Sequence, residues 1–179
     1  MSGSMVYEVI LDSKKEEGVK EPLFLKTIVK FEEELKAKYT NIRFTTSLKD
    51  IVVRMQTTIN SDFTCQIPED KNLVAQYLLL YSMSLPQGME INDKIDTHER
   101  YLRLSISSNL DDTLKELEMI AWIKEWWSKN SDYTADVQGQ SAIFAYMKTS
   151  VTQTLLVSIS VTLLIVTLCM LLIFKDIKM

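Results

Sequence analysis

RYLRLSIS, residues 100–107, alternates residue by residue, with Leu102, Leu104 and Ile106 on one side and Tyr101, Arg103 and Ser105 on the other. A period of two marks a strand with one buried face. Upstream, VYEVILD at 6–12 repeats the pattern, Tyr7, Val9 and Leu11 alternating with Val6, Glu8 and Ile10. Downstream, DYTADVQG supplies a last strand through Tyr133, Ala135 and Val137. Each strand is followed by a stretch of helical period. After Glu21-Pro22, a proline suited to a first helical turn, Phe24, Ile28, Phe31 and Leu35 recur on one face, with Lys26, Lys30, Glu33 and Lys36 on the wet side. That helix is expected to end near Tyr39. After residues 100–107, Asp111 or Asp112 can cap a helix whose Leu114, Leu117, Ile120 and Ala121 form a stripe and which carries Trp122, Trp126 and Trp127 near its end.

NIRFTT at 41–46 reads as a further strand in which Ile42 and Phe44 share a face. Ser47 then caps a short helix carrying Leu48, Ile51, Val52 and Met55. A second helical run contains LVAQYLLLYSMSL, in which Leu73, Val74, Tyr77, Leu78, Leu80 and Tyr81 wrap most of the way round. Such a face is too wide for a simple surface helix. It either packs against the domain or offers a surface to a greasy substrate or a neighbouring domain. The order is strand, helix, strand, helical insertion, strand, helix, strand. The expected fold is α+β, a ferredoxin-like split βαβ sandwich with a helical insertion at about 47–92. Right-handed crossovers place both long helices on one face of a four-stranded antiparallel sheet and leave the other face open.

Beyond Gly139 the solvent changes. LLVSISVTLLIVTLCMLLIF, residues 155–174, carries no charge and covers about 30 Å as a helix, the thickness of a bilayer's hydrocarbon. The reading is a domain at 6–139, one continuous helix at 140–174 with a transmembrane span at about 151–174, and a short cytoplasmic tail at 175–179. A buried helix of a soluble core is the alternative. No Pro or Gly interrupts SAIFAYMK at 141–148, so the helix should enter the membrane unbroken and act as a lever, with Gly139 at the strand-to-helix corner as the hinge. Lys148 on one side and Lys175 and Lys178 on the other mark the membrane interfaces. The positive-inside bias places the C-terminal end in the cytoplasm. MSGSM at 1–5 reads as a cloning scar.

The composition bears on function class. A net charge of −4 over 179 residues offers no broad basic surface for a nucleic-acid backbone. Cys65 lies in a polar loop and Cys169 in the apolar run, so they cannot pair. The lone His98 sits in DTHERY, a polar turn, with no nucleophile marked beside it. Asp111-Asp112 and Glu16-Glu17 read as a helix cap and a solvated charge run. No catalytic, metal or cofactor motif is found, and the chain is not read as an enzyme.

The proline-started helix, IPEDKNLVAQYLLLYSMSLPQG with Asn92 close behind, RYLRLSISS, and GQSAIFAYM running into an apolar helix together resemble the outer loop of RND-superfamily exporters of the MMPL and hopanoid-transporter type. The likeness covers about Glu21 to Phe174. It implies a porter-type domain between two membrane helices of a transporter with roughly a dozen spans in repeated halves, and favours the second half. It also implies a bacterial inner membrane with the domain on the periplasmic side. The implied partners are the remaining helices and second repeat of the parent, the lipid bilayer, and a lipid-like or other hydrophobic cargo. Proton-relaying carboxylates of that superfamily lie on a later helix, so this segment alone should have no transport activity. Tyr77, Leu78 and Tyr81 are the candidate passage residues. Two other readings remain: a tail-anchored interaction protein with a cytoplasmic domain, and a periplasmic sensor or adaptor domain with one anchor.

Overall fold

The computed structural model describes residues 5–60, 67–84, 91–109 and 112–176. Four strands, β1 (Met5–Asp12), β2 (Ile42–Thr46), β3 (Tyr101–Ser108) and β4 (Thr134–Gln138), form one antiparallel sheet in the order β2-β3-β1-β4. The buried face is the one the alternation marks: Tyr7, Val9, Leu11, Leu102, Leu104 and Ile106 are all fully buried, and Val9 pairs with Leu104 on one side and Val137 on the other. Met5 is already in β1, opposite Ser108, so the strand begins inside the segment set aside as a scar. Residues 1–4 lie outside the described residues.

Helices α1 (Pro22–Lys38) and α4 (Thr113–Asn130) lie side by side over this face. Phe31 of α1 meets Trp127 at 5.3 Å between ring centres and Trp126 at 5.0 Å, and Trp126 Nε1 donates to the Glu34 carboxylate at 2.6 Å. Edge-on and tilted ring contacts of this kind add to the area they bury. Tyr133 closes the other end against Phe24 at 4.8 Å. The opposite face of the sheet is partly exposed, with Val6 and Tyr101 open and Glu8, Ile10, Arg103 and Ser105 half-buried. There Arg103 lies between Glu8 at 3.7 Å and Asp93 at 3.8 Å.

Three local expectations are corrected. Ile42 and Phe44 do not share a face: Ile42 pairs with Ser108 and Phe44 with Ser107, so Arg43 is an extra residue in a bulge. One added residue reverses the alternation, and Phe44 stands 54% exposed. Ser47 does not cap α2 (Leu48–Asn60) with its hydroxyl. Its backbone N–H instead donates to the Asp50 carboxylate at 2.8 Å, the returning half of a capping box. The stripe on α4 is rotated: Glu116, Met119, Ile120, Ile123, Trp126 and Trp127 are buried, while Leu114 and Ala121 are exposed and Leu117 is half-buried. The buried set follows 3.6-residue periodicity without a break, and one of its members is a carboxylate. Of the two candidate caps, Asp112 accepts from Leu114 N at 3.0 Å, and Asp111 lies outside the described residues.

The insertion is α2, α3 (Lys71–Ser84) and a single 3-10 turn at Ile91–Asp93. Residues 94–96 then extend the sheet along β3 beyond the end of β2, Ile95 bridging Leu102. Glu32 of α1, almost fully buried, meets Lys49 of α2 at 2.8 Å and ties the insertion to the domain. Burial holds the Glu32 carboxyl above its ordinary range despite that partner.

At the far end of β1, Arg100 grips Asp12 with two hydrogen bonds of 2.7 Å. The guanidinium beside it holds the Asp12 carboxyl below the usual carboxylate range. A carboxyl depressed by folding stabilises the native state above its unfolded pKa, about 3.9. That contribution is lost as pH falls through the lower native value. Asp12→Asn should therefore flatten the acid limb of a stability-versus-pH curve below about pH 4. An unchanged limb in chemical denaturation would show that the pair is fully screened.

The last strand turns at Gly139 into α5 (Gln140–Asp176), 37 residues in one helix of about 55 Å. It contains a run long and apolar enough to cross a bilayer. Every side chain from 150 to 172 is exposed, so this run is not buried within the domain.

Candidate functional site

The sheet has two ends of different character. At the end where β1 begins, Gly139 sits against Glu8 and α5 leaves the domain. At the other, about 25 Å away along the strands, the turns after β1 and before β3 are laced together. Ser13 N donates to Arg100 O, Glu17 N to His98 O and Val19 N to Glu99 O. Lys14, Glu17 and Glu99 all have positive φ, at 65°, 53° and 53°, a backbone that non-glycine residues adopt only when their surroundings enforce it. Asp96 enforces part of it: burial works to raise its pKa, but hydrogen bonds from the N–H groups of Tyr101, Arg100 and His98 hold the carboxyl below its ordinary value.

The helix α3 is docked onto this end. Lys71 reaches Glu21 at 3.2 Å, and Asp70 accepts from Asn72 N at 2.9 Å to start the helix. Val74, Tyr77 and Leu78 face inward and Tyr81 is half-buried. Leu79, Leu80 and Met83 project outward, 60%, 49% and 75% exposed. Between α3 and the segment 91–95 lies a cleft of about 430 Å³. Its walls are Leu78 and Leu79 on one side and Ile91 and Ile95 on the other, and Lys20 and Glu99 pair at its lining. Of the three passage residues named from sequence, only Leu78 lines this cleft. Tyr77 points into the core, and of the exposed apolar side chains only Leu80 belongs to the face read from the sequence, Leu79 and Met83 being neighbours outside it. The signal for them was the apolar circumference of α3, which does not say which arc faces water.

His98 is exposed in its turn and lies 3.8 Å from Glu16. Among the described residues no three His, Cys, Asp or Glu side chains are close enough to hold a metal ion. Sequence reasoning missed the buried Glu116, which sits on the core face of α4 near Tyr7. Burial, and then this carboxylate, push the Tyr7 hydroxyl well above its ordinary pKa.

The junction to α5 is compact. Gly139 has φ +97°, in the region that L side chains rarely adopt, and its carbonyl accepts from Ile143 N to open the helix. Ala142 and Ala145 are buried against the domain, their small side chains allowing close approach, while Ile143, Phe144, Tyr146 and Met147 are exposed. Gly139→Val should cost about 1–3 kcal/mol from backbone strain, since a Cβ there would meet Glu8 at no closer than 3.4 Å. A loss below about 0.5 kcal/mol in a denaturant titration would mean that the corner yields easily. Lys148 is exposed one turn past Ala145. Lys175 is the next-to-last residue of α5, and Lys178 lies outside the described residues, as does Cys65.

No family model, no curated protein and no solved structure matches this chain.

Proposed function

We propose that the chain is an outer domain and adjoining span of a proton-driven RND-type exporter, one stage in the passage of a lipid-like or other hydrophobic compound. The observation that carries this reading is the unbroken path from β4 through Gly139 into α5: a folded domain is rooted without a linker on a helix long enough to cross a bilayer. The reading as a ferredoxin-like sandwich is supported by the sheet order β2-β3-β1-β4, with α1 linking β1 to β2 and α4 linking β3 to β4. In this reading the domain lies on the periplasmic side of a bacterial inner membrane and α5 ends in the cytoplasm. The cleft along α3 stands at the end of the sheet remote from the membrane, where a compound leaving the bilayer would pass. Proton movement occurs in helices outside this chain, and the chain alone transports nothing.

Two measurements test it. The native coding sequence past Met179 should continue into further apolar spans; a stop codon there, with a signal anchor upstream, would point instead to a singly anchored sensor or adaptor. Leu23 is 69% exposed on the domain surface. In a Cys65→Ser background, Leu23→Cys should react with a membrane-impermeant maleimide in intact cells whose outer membrane has been opened. Protection until the inner membrane is lysed would put the domain in the cytoplasm and favour a tail-anchored interaction protein.

A further inference from the structure

Where α5 leaves the domain, the first turn of α4 stands beside it, and the two helices enclose a notch of about 350 Å³. It is lined by Thr113 and Leu114 of α4 and by Lys148, Thr149, Thr152 and Gln153 of α5. If the uncharged run from Leu155 fills the hydrocarbon, Gln153 and Lys148 lie about 3 and 10 Å above its edge. The headgroup layer of a bilayer is about 5–8 Å thick on each side, so the notch opens into it. Thr149 and Thr152 donate their hydroxyls to Ala145 O and Lys148 O and turn to the helix what they have to give. The walls are consequently mostly apolar, and Leu114, 72% exposed to solvent, adds a bare aliphatic side chain to them. Among the described residues Lys148 has no ion-pair partner, and it is the single charge between Asp136 and Lys175. Asp112, the nearest carboxylate in sequence to the notch, is engaged by the N–H of Leu114.

We infer that this notch is a phospholipid site: the lipid phosphate pairs with the Lys148 ammonium, the Gln153 amide is within the same lining, and an acyl chain descends past Leu114 along α5. An unpaired cation at phosphate depth and an apolar wall below it match the two halves of such a lipid. The bilayer supplies the occupant, because α5 continues from the notch directly into the apolar run. The inference rests on α5 crossing a membrane and not on the exporter reading.

Native mass spectrometry of the full chain from detergent micelles tests it, with dioleoyl phosphatidylglycerol and dioleoylglycerol as probes. Lys148→Gln should weaken binding of the first phosphatidylglycerol about tenfold, the effect of one lost charge-assisted contact. It should leave dioleoylglycerol unaffected. Leu114→Ala should weaken both lipids, and Lys26→Gln, at the remote end of the sheet, neither. Millimolar inorganic phosphate should not compete. Equal phosphatidylglycerol affinity in the wild type and Lys148→Gln would overturn the site, as would equal loss of both lipids in Lys148→Gln. Competition by inorganic phosphate would make it a free-anion site and overturn the lipid assignment. A chain that stays monodisperse without detergent would remove the premise itself, and so is told apart from failure of the notch.

Discussion

Leu78→Asn should destabilise the domain by about 3 kcal/mol or more, and Tyr77→Ser by a similar amount. Both side chains are nearly fully buried, at 5% and 2% exposure, and each change removes apolar volume while placing a polar group where water does not reach. Met83→Ser and Leu79→Ser, on the outer arc of the same helix, should stay within about 0.5–1 kcal/mol. Denaturant titration of the four variants in the full chain separates the roles that the apolar circumference of α3 leaves merged. If Leu78→Asn cost as little as Met83→Ser, the helix would not be seated as described. If Leu79→Ser or Met83→Ser cost several kcal/mol, those side chains would be covered by another part of the protein. Should the exporter reading hold, altered cargo selectivity is expected from the outer arc and the cleft wall, not from Tyr77.

The second large effect concerns α5. One arginine near the middle of a membrane helix disfavours insertion by roughly 3 kcal/mol. The apolar run of this chain can offset one such charge and not two. Leu163→Arg should therefore stay in the membrane fraction after alkaline carbonate extraction, whereas Leu163→Arg combined with Val166→Arg should be released. Both positions are 50% or more exposed along the helix, so neither arginine would disturb packing within the domain. Retention of the double variant would mean that α5 is held by protein contacts and not by lipid. Release of the wild type would mean that the helix does not span.

The two predictions separate what can be read along a chain from what depends on how its elements meet. Strands β1, β3 and β4 were legible because one buried face leaves a period-two signature, and α1 because Phe24, Ile28, Phe31 and Leu35 mark its buried face, although Glu32 is buried beside them. The apolar run of α5 was legible from length and lack of charge, which is all that lipid requires. Phe44 was misplaced because a bulge at Arg43 costs no residue of unusual type and reverses everything after it. The stripe of α4 was misread because Glu116 occupies a core position, and a carboxylate there looks like a solvent-facing residue until its neighbours are known. Leu114 showed the opposite fault: an apolar side chain at the first turn of a helix is counted as core, yet here it stands 72% exposed.

From sequence alone come the two solvents, the α+β order of elements and the position of the strand-to-helix corner, all set by local periodicity and by the transfer energy of side chains. Only the tertiary structure decides the strand order, the arc of α3 that faces water, the burial of Glu32 and Glu116, and the notch that brings Lys148 and Leu114 together. Each of these joins residues distant in the chain, and the energy that selects them is that of packing and desolvation between elements, which no local pattern carries.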